Sequence, residues 1–319
     1  MKYIYNIVYL LLFSNFSFGQ DPIFTQFYNS PMLVNPSLVG TNMKMKQKFT
    51  FISKNQSWNH GIQSYYENMI TLEKDLTYKM NSNNNFYLGI LFLNQNSNNG
   101  ILNNNYFIFN LTDKIKLSEN DFLKASIQSS YKNTFVNLSN SYFQNQFDSY
   151  GFSNISDIYD PISSFSISNF DVNPGVIYEH IDNNIKYNFG FAIFNVSKPV
   201  KTLSSNFTYF QPVKYIFNGS LNYNFQSNNS LFLSGYYQFN QLKNLFTLGG
   251  TYGFDLNNAS NIIYLGFWNR FGYSISPNFG IKHKNVHFNL TYDIPTKNKI
   301  YNVYKTSIFE TSLVVDFGK

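Results

Sequence analysis

The chain has 319 residues, of which 20% are aromatic and only 13% are charged, so it is poorer in charge than a typical soluble domain. It contains no Cys, which excludes disulfides, thiolate metal sites and thiol catalysis within this sequence. The formal net charge is +6, but the lysines are scattered rather than gathered on a stretch that could follow a phosphate backbone. Nucleic-acid binding is therefore not expected.

Residues 1–19 have the features of a secretory signal peptide. Lys2 supplies a positive start, Ile4–Phe13 is apolar, and Ser17 and Gly19 are the small residues expected before a cut at Gln20. A membrane anchor is the alternative, but the apolar run is too short for a helix that must cross roughly 30 Å of hydrocarbon. No later run is long enough for such a helix, so only a closed β-barrel could place the remaining chain in a membrane.

Alternation with period two is the dominant pattern beyond residue 46. In one segment, Phe217, Leu221 and Phe225 alternate with Asn218 and Asn222, which gives a strand one apolar and one amide-rich face. The pattern predicts an all-β fold: a transmembrane antiparallel outer-membrane β-barrel of about 14 strands. The predicted strands are 47–54, 65–74, 86–94, 105–113, 121–134, 171–180, 186–195, 214–225, 230–239, 244–254, 261–268, 277–283, 286–293 and 306–317.

Connection lengths give this barrel an orientation. If the first strand runs outward, the longest connections, 135–170, 196–213 and 294–305, all lie at the outer end. Outer-membrane barrels show this asymmetry, with long outer loops and short periplasmic turns. A soluble β-sandwich is the alternative. So many strands with Phe and Tyr on one face favour a lipid-facing surface instead.

No segment carries a recognisable catalytic motif. The sequence lacks a G-x-S-x-G elbow, a glycine-rich phosphate loop and an H-E-x-x-H zinc helix. His283 and His287 would share a strand face and could bind a metal, but Lys284-Asn285 between them favours a turn. A barrel phospholipase would need a His and a Ser aligned at the outer rim, and no segment indicates that pair. We expect no catalysis and no cofactor.

Acidic residues occur in or beside the longest predicted outer loop. Asp157, Asp160 and Asp171 could offer oxygen ligands to Ca²⁺, but their spacing matches no calcium loop. A solvated loop is the better interpretation. Asn-rich stretches such as 94–105 are low in complexity and are expected in loops or turns.

The region before the first strand differs from the rest. Pro22, Pro31 and Pro36 make a regular helix or central strand unfavourable over residues 20–45. Its polar and aromatic side chains could fold into the lumen as a plug, cover the periplasmic mouth, or form a flexible leader. The predicted organisation is a signal peptide at 1–19, an N-terminal periplasmic or plug segment at 20–45, and the outer-membrane β-barrel at 46–319.

The chain contains six short motifs distributed from residue 21 to residue 313. They read D-P-I-F-T-Q-F-Y at 21–28, N-P-S-L-V-G at 35–40, N-Q-S-W at 55–58, L-G-F-W-N-R at 265–270, Y-D-I at 292–294 and E-T-S-L at 310–313. In order and spacing they resemble the PorP/SprF family of type IX secretion system outer-membrane proteins. Thr25 stands where the family has Ser, and the third motif lacks the family's Arg. The motif positions that this resemblance marks for partner contact are Asp21, Pro22, Phe24, Gln26, Asn35, Pro36, Gly40, Gln56, Trp58, Arg270, Asp293 and Glu310.

The resemblance implies a non-enzymatic role in type IX secretion. It implies help for adhesin-like cargo with a type B C-terminal domain to reach and stay on the cell surface, with gliding motility involved in some members. The implied partners are that C-terminal domain, periplasmic secretion components and outer-membrane lipid. The alternative is a passive porin-like channel for small solutes, since about fourteen strands could enclose a lumen. Inward positions are expected to be mainly Asn, Ser and Thr, which argues against ion selectivity.

Overall fold

Eighteen strands account for most of the described structure, and fourteen of them close into one barrel. The computed structural model of the chain describes residues 22–41, 43, 45–56, 65–77, 84–97, 100–137, 147–148, 151–152, 165–198, 200–204, 207–226, 228–241, 244–256, 260–296 and 307–318. The strands are β1 (Gln47–Gln56), β2 (Tyr65–Asp75), β3 (Asn84–Ser97), β4 (Leu102–Lys116), β5 (Asp121–Val136), β6 (Phe147–Asp148), β7 (Gly151–Phe152), β8 (Phe165–Ile181), β9 (Ile185–Phe194), β10 (Val200–Ser204), β11 (Phe207–Phe210), β12 (Lys214–Asn224), β13 (Ser230–Phe239), β14 (Asn244–Asp255), β15 (Asn261–Arg270), β16 (Ser274–His283), β17 (Val286–Pro295) and β18 (Ile308–Phe317).

The barrel has the simplest antiparallel topology. Each barrel strand pairs with the barrel strands before and after it in the chain, and β18 closes the ring on β1 with a register from Gln47 opposite Phe317 to Gln56 opposite Ile308. The pairs β6–β7 and β10–β11 form separate two-stranded hairpins inside two connections. The prediction of an antiparallel barrel with about fourteen strands is confirmed, and each predicted strand overlaps one barrel strand.

The two faces of the barrel differ as the alternation requires. On β2, Met69 and Thr71 are fully buried, whereas Ile70 between them is 43% exposed. Across the described strands, large apolar side chains such as Phe107 and Phe267 cover the outside, each about half exposed. The inside holds most of the buried polar side chains together with two buried apolar clusters. An outer surface of this kind is stable only against hydrocarbon or another apolar partner.

The two ends of the barrel differ in their connections. The end reached by β1 carries the connections 137–164, 195–213 and 296–307, while the opposite end has tight turns such as 182–184 and 284–285. The length rule for outer-membrane barrels makes the first end the outer one. The predicted turn at Lys284-Asn285 is confirmed, and Lys284 has the positive φ of 51° that such a turn uses. Among the described residues, no helix is long and apolar enough to cross a membrane.

Several strand ends extend beyond their predicted limits. β8 begins at Phe165 rather than at residue 171, because its outward positions Ser166 and Ser168 are polar and break the apolar alternation. β16 begins at Ser274 and contains Pro277, which has no N–H to donate; pairing with β17 is interrupted at residues 276–277 and continues in the same register on both sides. The apolar–polar alternation therefore predicts the part of each strand that has an apolar outer face, but it does not predict strand ends whose outward residues are polar.

Candidate functional site

Residues 22–41, the lumenal segment, fold into three short helical turns. A 3₁₀ turn at Phe27–Asn29 is followed by helix α1 (Pro31–Val34) and a second 3₁₀ turn at Pro36–Leu38. Both prolines open their turns, where a backbone N–H would have no partner. The Asn35 side chain accepts a 2.9 Å hydrogen bond from the Ser37 amide and so caps the last turn. The three prolines that argue against regular structure thus produce a compact, irregular segment.

The lumenal segment lies inside the barrel. Its hydrogen bonds reach inward-facing groups on ten of the fourteen strands, from every part of the ring: β1, β2, β4, β5, β8, β12, β15, β16, β17 and β18. Phe24, Gln26 and Met32 are almost completely buried. The segment runs from the outer half of the lumen at residue 22 to the periplasmic half at residue 41. Its first residues bond to Lys54 and Glu310 near the outer ends of their strands, and its last bond to Glu73 and Lys124 near the periplasmic ends.

At the outer end, a polar latch consists of Thr25, Gln26, Arg270, Asp293 and Glu310. The Thr25 amide donates to Glu310 Oε1 at 2.8 Å and the Gln26 amide donates to Oε2 at 3.0 Å. The Thr25 hydroxyl donates to Asp293 at 2.8 Å and accepts from Arg270 Nη2 at 2.9 Å. Hydrogen bonds to charged groups are stronger than those between neutral groups, so the two carboxylates and the guanidinium hold this part of the segment firmly.

Gln26 satisfies its whole side chain within the latch region. Its Nε2 donates to Thr291 Oγ1 and to the Glu310 carbonyl, both at 3.2 Å, and its Oε1 accepts from Ser312 Oγ at 2.6 Å. Gln26 is fully buried, and each of these partners lies on β17 or β18. Gln26 therefore fixes the segment to the last two strands of the barrel, β17 and β18.

An aromatic cluster packs beside the latch. It consists of Phe27, Tyr28, Phe232, Tyr236 and Trp268. The ring of Tyr28 stacks on Trp268 with centroids 4.8 Å apart, and Phe27 meets Trp268 edge-on at 5.2 Å. Tyr28 also accepts a hydrogen bond from Asn278 at 3.2 Å. Trp268 is fully buried, so its indole depends on the segment for its surroundings.

A second anchor holds the periplasmic end. The Asn35 amide donates to the Val176 carbonyl at 3.2 Å and to Asn218 Oδ1 at 2.9 Å. The Val39 carbonyl accepts from Lys124 Nζ at 2.6 Å, and the Gly40 amide donates to Glu73 at 2.8 Å. This anchor thus combines the Asn35 side-chain amide with backbone groups of the segment that bond to the charged side chains of Lys124 and Glu73.

Glycines let the wall approach this anchor. A Cβ at Gly175 would collide with Asn35 Oδ1, and one at Gly190 would lie 2.7 Å from Asn35 Nδ2. Gly40 has a φ of +79°, and a Cβ there would collide with the Tyr87 ring. The segment and the wall thus approach so closely that glycine is required on both sides: at residues 175 and 190 of the wall and at residue 40 of the segment.

The structure brings together several of the residues that the motifs marked. Gln26, Arg270, Asp293 and Glu310 meet in the latch, while Asn35, Pro36 and Gly40 lie in the periplasmic anchor, where the Pro36 carbonyl accepts from Asn110 and Thr112. Phe24 is buried close to Lys54, and Pro22 lines a cleft at the outer end. Gln56 ends β1 opposite Tyr65 and Ile308. Asp21 and Trp58 lie outside the described residues.

The inward faces carry more charge than expected. Asn, Ser and Thr are the most frequent buried polar residues of the described strands, as predicted, but charged pairs lie at both ends: Lys54 pairs with Glu67 at 2.8 Å and Lys114 with Glu179 at 2.7 Å. Lys124, fully buried, completes the periplasmic group. A charged residue at an inward position of an alternating strand is the signal that could have identified these groups, since isolated buried charges are costly.

The metal sites considered from sequence find no support in the described geometry. His283 bonds to Asn261 at 2.6 Å, and His287 lies on the next strand against Tyr264. Asp171 accepts bonds from Asn195 and Ser197, while Asp157 and Asp160 lie outside the described residues. Within the parts of the chain that the structure covers, no three His, Asp or Glu side chains are grouped to hold a metal ion.

Comparison with known proteins identifies the family. The model of the family described as "Type IX secretion system membrane protein PorP/SprF" matches residues 16–315. The chain belongs to the PorP/SprF family. The resemblance drawn from the six motifs is thereby confirmed, and this family membership together with the closed barrel makes the protein an outer-membrane β-barrel. Among curated proteins, the comparison gives no match.

Solved structures share the fold of this PorP/SprF protein at low identity. The Ralstonia pickettii toluene transporter TbuX has a TM-score of 0.54 at 10% identity, covering 90% of this chain and 92% of that one. The Pseudomonas putida toluene transporter TodX has a TM-score of 0.51 at 8% identity, with 90% and 92% covered. The TodX deltaS2S3 mutant, a monoaromatic hydrocarbon channel, reaches 0.56 at 10% identity, with 90% and 93% covered. This likeness concerns the barrel fold alone.

Proposed function

We propose that this protein is a non-enzymatic component of the type IX secretion system that assists secretion and surface attachment of specific adhesin-like cargo. The proposed partners are the type B C-terminal domain of that cargo, periplasmic secretion components and outer-membrane lipid. The observation that carries the proposal is a lumen occupied by a segment bonded to ten strands. A barrel filled in this way is better suited to holding partners at the membrane than to passing solutes.

The proposed organisation of the chain has three parts. Residues 1–19 are removed as a signal peptide, residues 20–45 form a plug, and residues 46–319 form the barrel. The latch and the periplasmic anchor support the second part, because each places segment backbone groups on buried partners. Releasing the segment would leave buried carboxylates and a lysine without those partners, at a cost of roughly 1–3 kcal/mol for each lost bond.

The motif residues are proposed to act in two different ways. Gln26 is a fully buried residue of the segment, and Asp293 and Glu310 are almost fully buried beneath it, so these three residues hold the segment in place rather than touch cargo. Pro22 lies at the outer cleft, where a surface partner can reach it. Asp21, Gln56 and Trp58 remain proposed contact positions on the strength of the family motifs.

A passive porin-like channel is the second candidate. Two small clefts flank the segment: one lies at the periplasmic half and is lined by Phe27, Asn188 and Ser234, and the other lies at the outer half beside Pro22. A solute path would have to join them past the segment. Conductance in planar bilayers separates the two functions, because a filled barrel predicts no steady current and a porin predicts a defined conductance step.

Deletion of the gene tests the main proposal. Surface and culture-fluid proteomes of the deletion strain and its parent are compared, and the expected result is loss of one or a few large surface proteins while other secreted proteins persist. Gliding is scored on the same strains. Unchanged secretion with impaired uptake of small solutes would overturn the proposal and favour the channel.

A further inference from the structure

The lipid-facing apolar surface is not equally tall around the barrel. Outward side chains occupy alternate strand positions, and on β17 five successive outward residues are apolar or aromatic: Val286, Phe288, Leu290, Tyr292 and Ile294. On β13 and β14, four successive outward pairs contain only apolar, aromatic or glycine residues: Tyr237–Phe246, Gly235–Leu248, Leu233–Gly250 and Leu231–Tyr252. Both stretches suit the apolar band, roughly 25 Å tall, that an outer-membrane barrel presents to lipid.

The wall formed by β1 and β2 has a much shorter apolar surface. From the periplasmic end, its outward pairs are Gln47–Lys74, Phe49–Leu72, Phe51–Ile70, Ser53–Asn68 and Asn55–Tyr66. Only the second and third of these pairs are entirely apolar. Outward positions follow each other at roughly 7 Å along a strand, so two pairs cover about 14 Å of strand. They cover still less of the membrane depth, because the strands of such a barrel are tilted.

The polar pairs on either side of this strip face outward. Ile52 and Met69 are fully buried in the lumen, so the next residue along each strand points to the lipid side. There the Ser53 hydroxyl donates to Asn68 Oδ1 at 2.8 Å, in an exposed hydrogen bond. Lys74, at the other edge of the strip, is also exposed. Charged and amide side chains on the lipid face are unfavourable within hydrocarbon, so a bilayer of ordinary thickness does not match this wall.

The polar groups lie on both sides of the strip, which indicates its partner. A second protein docked on this wall would need polar contacts at only one depth. A strip that is shortened at the outer edge by Ser53 and Asn68, and at the periplasmic edge by Lys74, matches a hydrocarbon layer that is itself thin. Bilayers respond to a short apolar stretch in this way, by thinning around it.

We propose that the wall formed by β1 and β2 holds a patch of locally thinned outer membrane. Outer-leaflet headgroups hydrogen-bond to Ser53 and Asn68, and inner-leaflet headgroups meet Lys74. The patch lies beside the β1–β18 pair that closes the ring. A polar segment of another protein would cross less hydrocarbon there than beside β13 and β14. The inference goes beyond the proposed function and does not depend on the identity of any cargo.

Quenching of site-specific labels in vesicles tests the proposal. The chain has no native Cys, so Ser53→Cys and Leu248→Cys each carry one nitrobenzoxadiazole label on the purified mature barrel. Leu248 is the matched control, because it faces outward four residues from the outer end of β14, as Ser53 lies three from that of β1. The bilayer is dioleoylphosphatidylcholine, and iodide is present on both sides.

A thinned bilayer leaves the label at residue 53 at the aqueous interface and the label at residue 248 in hydrocarbon. We therefore expect iodide to quench the first label about threefold more strongly than the second, or more. Equal protection of the two labels would overturn the proposal, because it would show hydrocarbon of ordinary thickness on both walls.

A paired substitution tests whether the polar row causes the thinning. Ser53→Leu/Asn68→Leu extends the apolar strip by one pair, so iodide quenching of a label at Asn55→Cys should fall by about half. Asn244→Leu/Asn269→Leu makes the same chemical change at the outer ends of β14 and β15 and should leave that label unaffected. Unchanged quenching at residue 55 in the first variant, or an equal fall in both, would contradict the proposal.

Crosslinking in cells distinguishes lipid from a protein partner. p-Benzoylphenylalanine is placed at position 53 or at position 248 of the full chain, and the cells are illuminated. A wall that faces thinned lipid gives no discrete protein adduct at either position, which is the result we expect. A discrete adduct at position 53 alone would overturn the proposal and assign this wall to a protein. The secretion role is tested separately by the proteome of the deletion strain.

Discussion

The two ends of the lumenal segment are held by different chemistry. At the outer end, Thr25 and Gln26 meet the carboxylates of Asp293 and Glu310, which lie on the last two strands of the barrel. At the periplasmic end, Asn35 meets a carbonyl and an amide of the wall and packs where Gly175 leaves room. The periplasmic end also has charged partners, Lys124 and Glu73, and adds to them a close fit of Asn35 against glycines of the wall.

This difference teaches how the segment could be loosened selectively. A change of charge on β17 or β18 should release the first residues and leave α1 and the second turn in place. A change of side-chain volume on β8 should do the reverse. Trp268 reports on the first case, because it contacts Phe27 and Tyr28 directly and is one of only two tryptophans in the chain. The variants below are therefore compared in a Trp58→Phe background.

The largest effect is expected from Glu310→Ala. The change removes the acceptor of the Thr25 and Gln26 amides in a buried site, so the free energy of unfolding should fall by about 3 kcal/mol. Urea unfolding of the detergent-solubilised barrel measures the loss, and the native Trp268 emission should shift to longer wavelength. Glu119→Ala, in an exposed turn, is the control. Equal midpoints for the two variants would contradict the latch.

Gly175→Ala tests the periplasmic end. The added methyl collides with Asn35 Oδ1, and overpacking of this kind costs about 1–3 kcal/mol. Asn35→Ala introduced into the same variant should recover part of the loss, which a double-mutant cycle measures. Gly219→Ala is the control, because its nearest neighbouring atom lies at 3.4 Å, an ordinary contact. Additive losses for residues 175 and 35 would refute the collision.

Arg270→Lys is expected to have a smaller effect. The guanidinium bonds to the Thr25 hydroxyl and also lies 3.6 Å from Asp293, and a lysine ammonium cannot reproduce that fork. We expect a loss of about 1 kcal/mol in the free energy of unfolding. Arg270→Met removes the charge as well and should cost more. If methionine is tolerated better than lysine, the electrostatic description of the outer end is wrong.

Thr25→Ser should have the smallest effect. Serine keeps the hydroxyl that donates to Asp293 and accepts from Arg270, so a change below about 0.5 kcal/mol is expected. Thr25→Val keeps the volume and removes the hydroxyl, and should cost about 1–2 kcal/mol. Comparing the two variants separates the contribution of the Thr25 hydroxyl from that of its methyl group. A serine variant as unstable as the valine variant would assign the effect to the lost methyl group.

Most of the fold was accessible from the sequence because lipid imposes a strict alternation. Wherever a strand has an apolar outer face, as at Phe217–Phe225, the period-two pattern located it. The outer start of β8 and the hairpin β10–β11 were missed, since outward positions beyond the hydrocarbon need not be apolar. Strand number and order were thus predicted, whereas the outer extensions were not.

The sequence motifs identified individual residues of the candidate site, but they did not show that these residues lie close together. The motifs marked Gln26, Arg270, Asp293 and Glu310 individually, yet Thr25 and Glu310 are 285 positions apart in the sequence. Only ring closure brings β18 back beside the start of the chain. The charged partners of the periplasmic end, such as Lys124 and Glu73, have no motif at all. Their inward position on alternating strands was the available signal.

The most direct test of the central claim is a disulfide between the lumenal segment and the wall. Ser37 Oγ and Ser126 Oγ lie 2.8 Å apart, and the chain has no native Cys. Ser37→Cys/Ser126→Cys should therefore crosslink in high yield in oxidised outer membranes. Ser37→Cys/Ser234→Cys, with the second cysteine on β13, should not. Efficient crosslinking of the first pair alone is the predicted result; no crosslink, or equal yields in both pairs, would contradict a segment seated in the lumen.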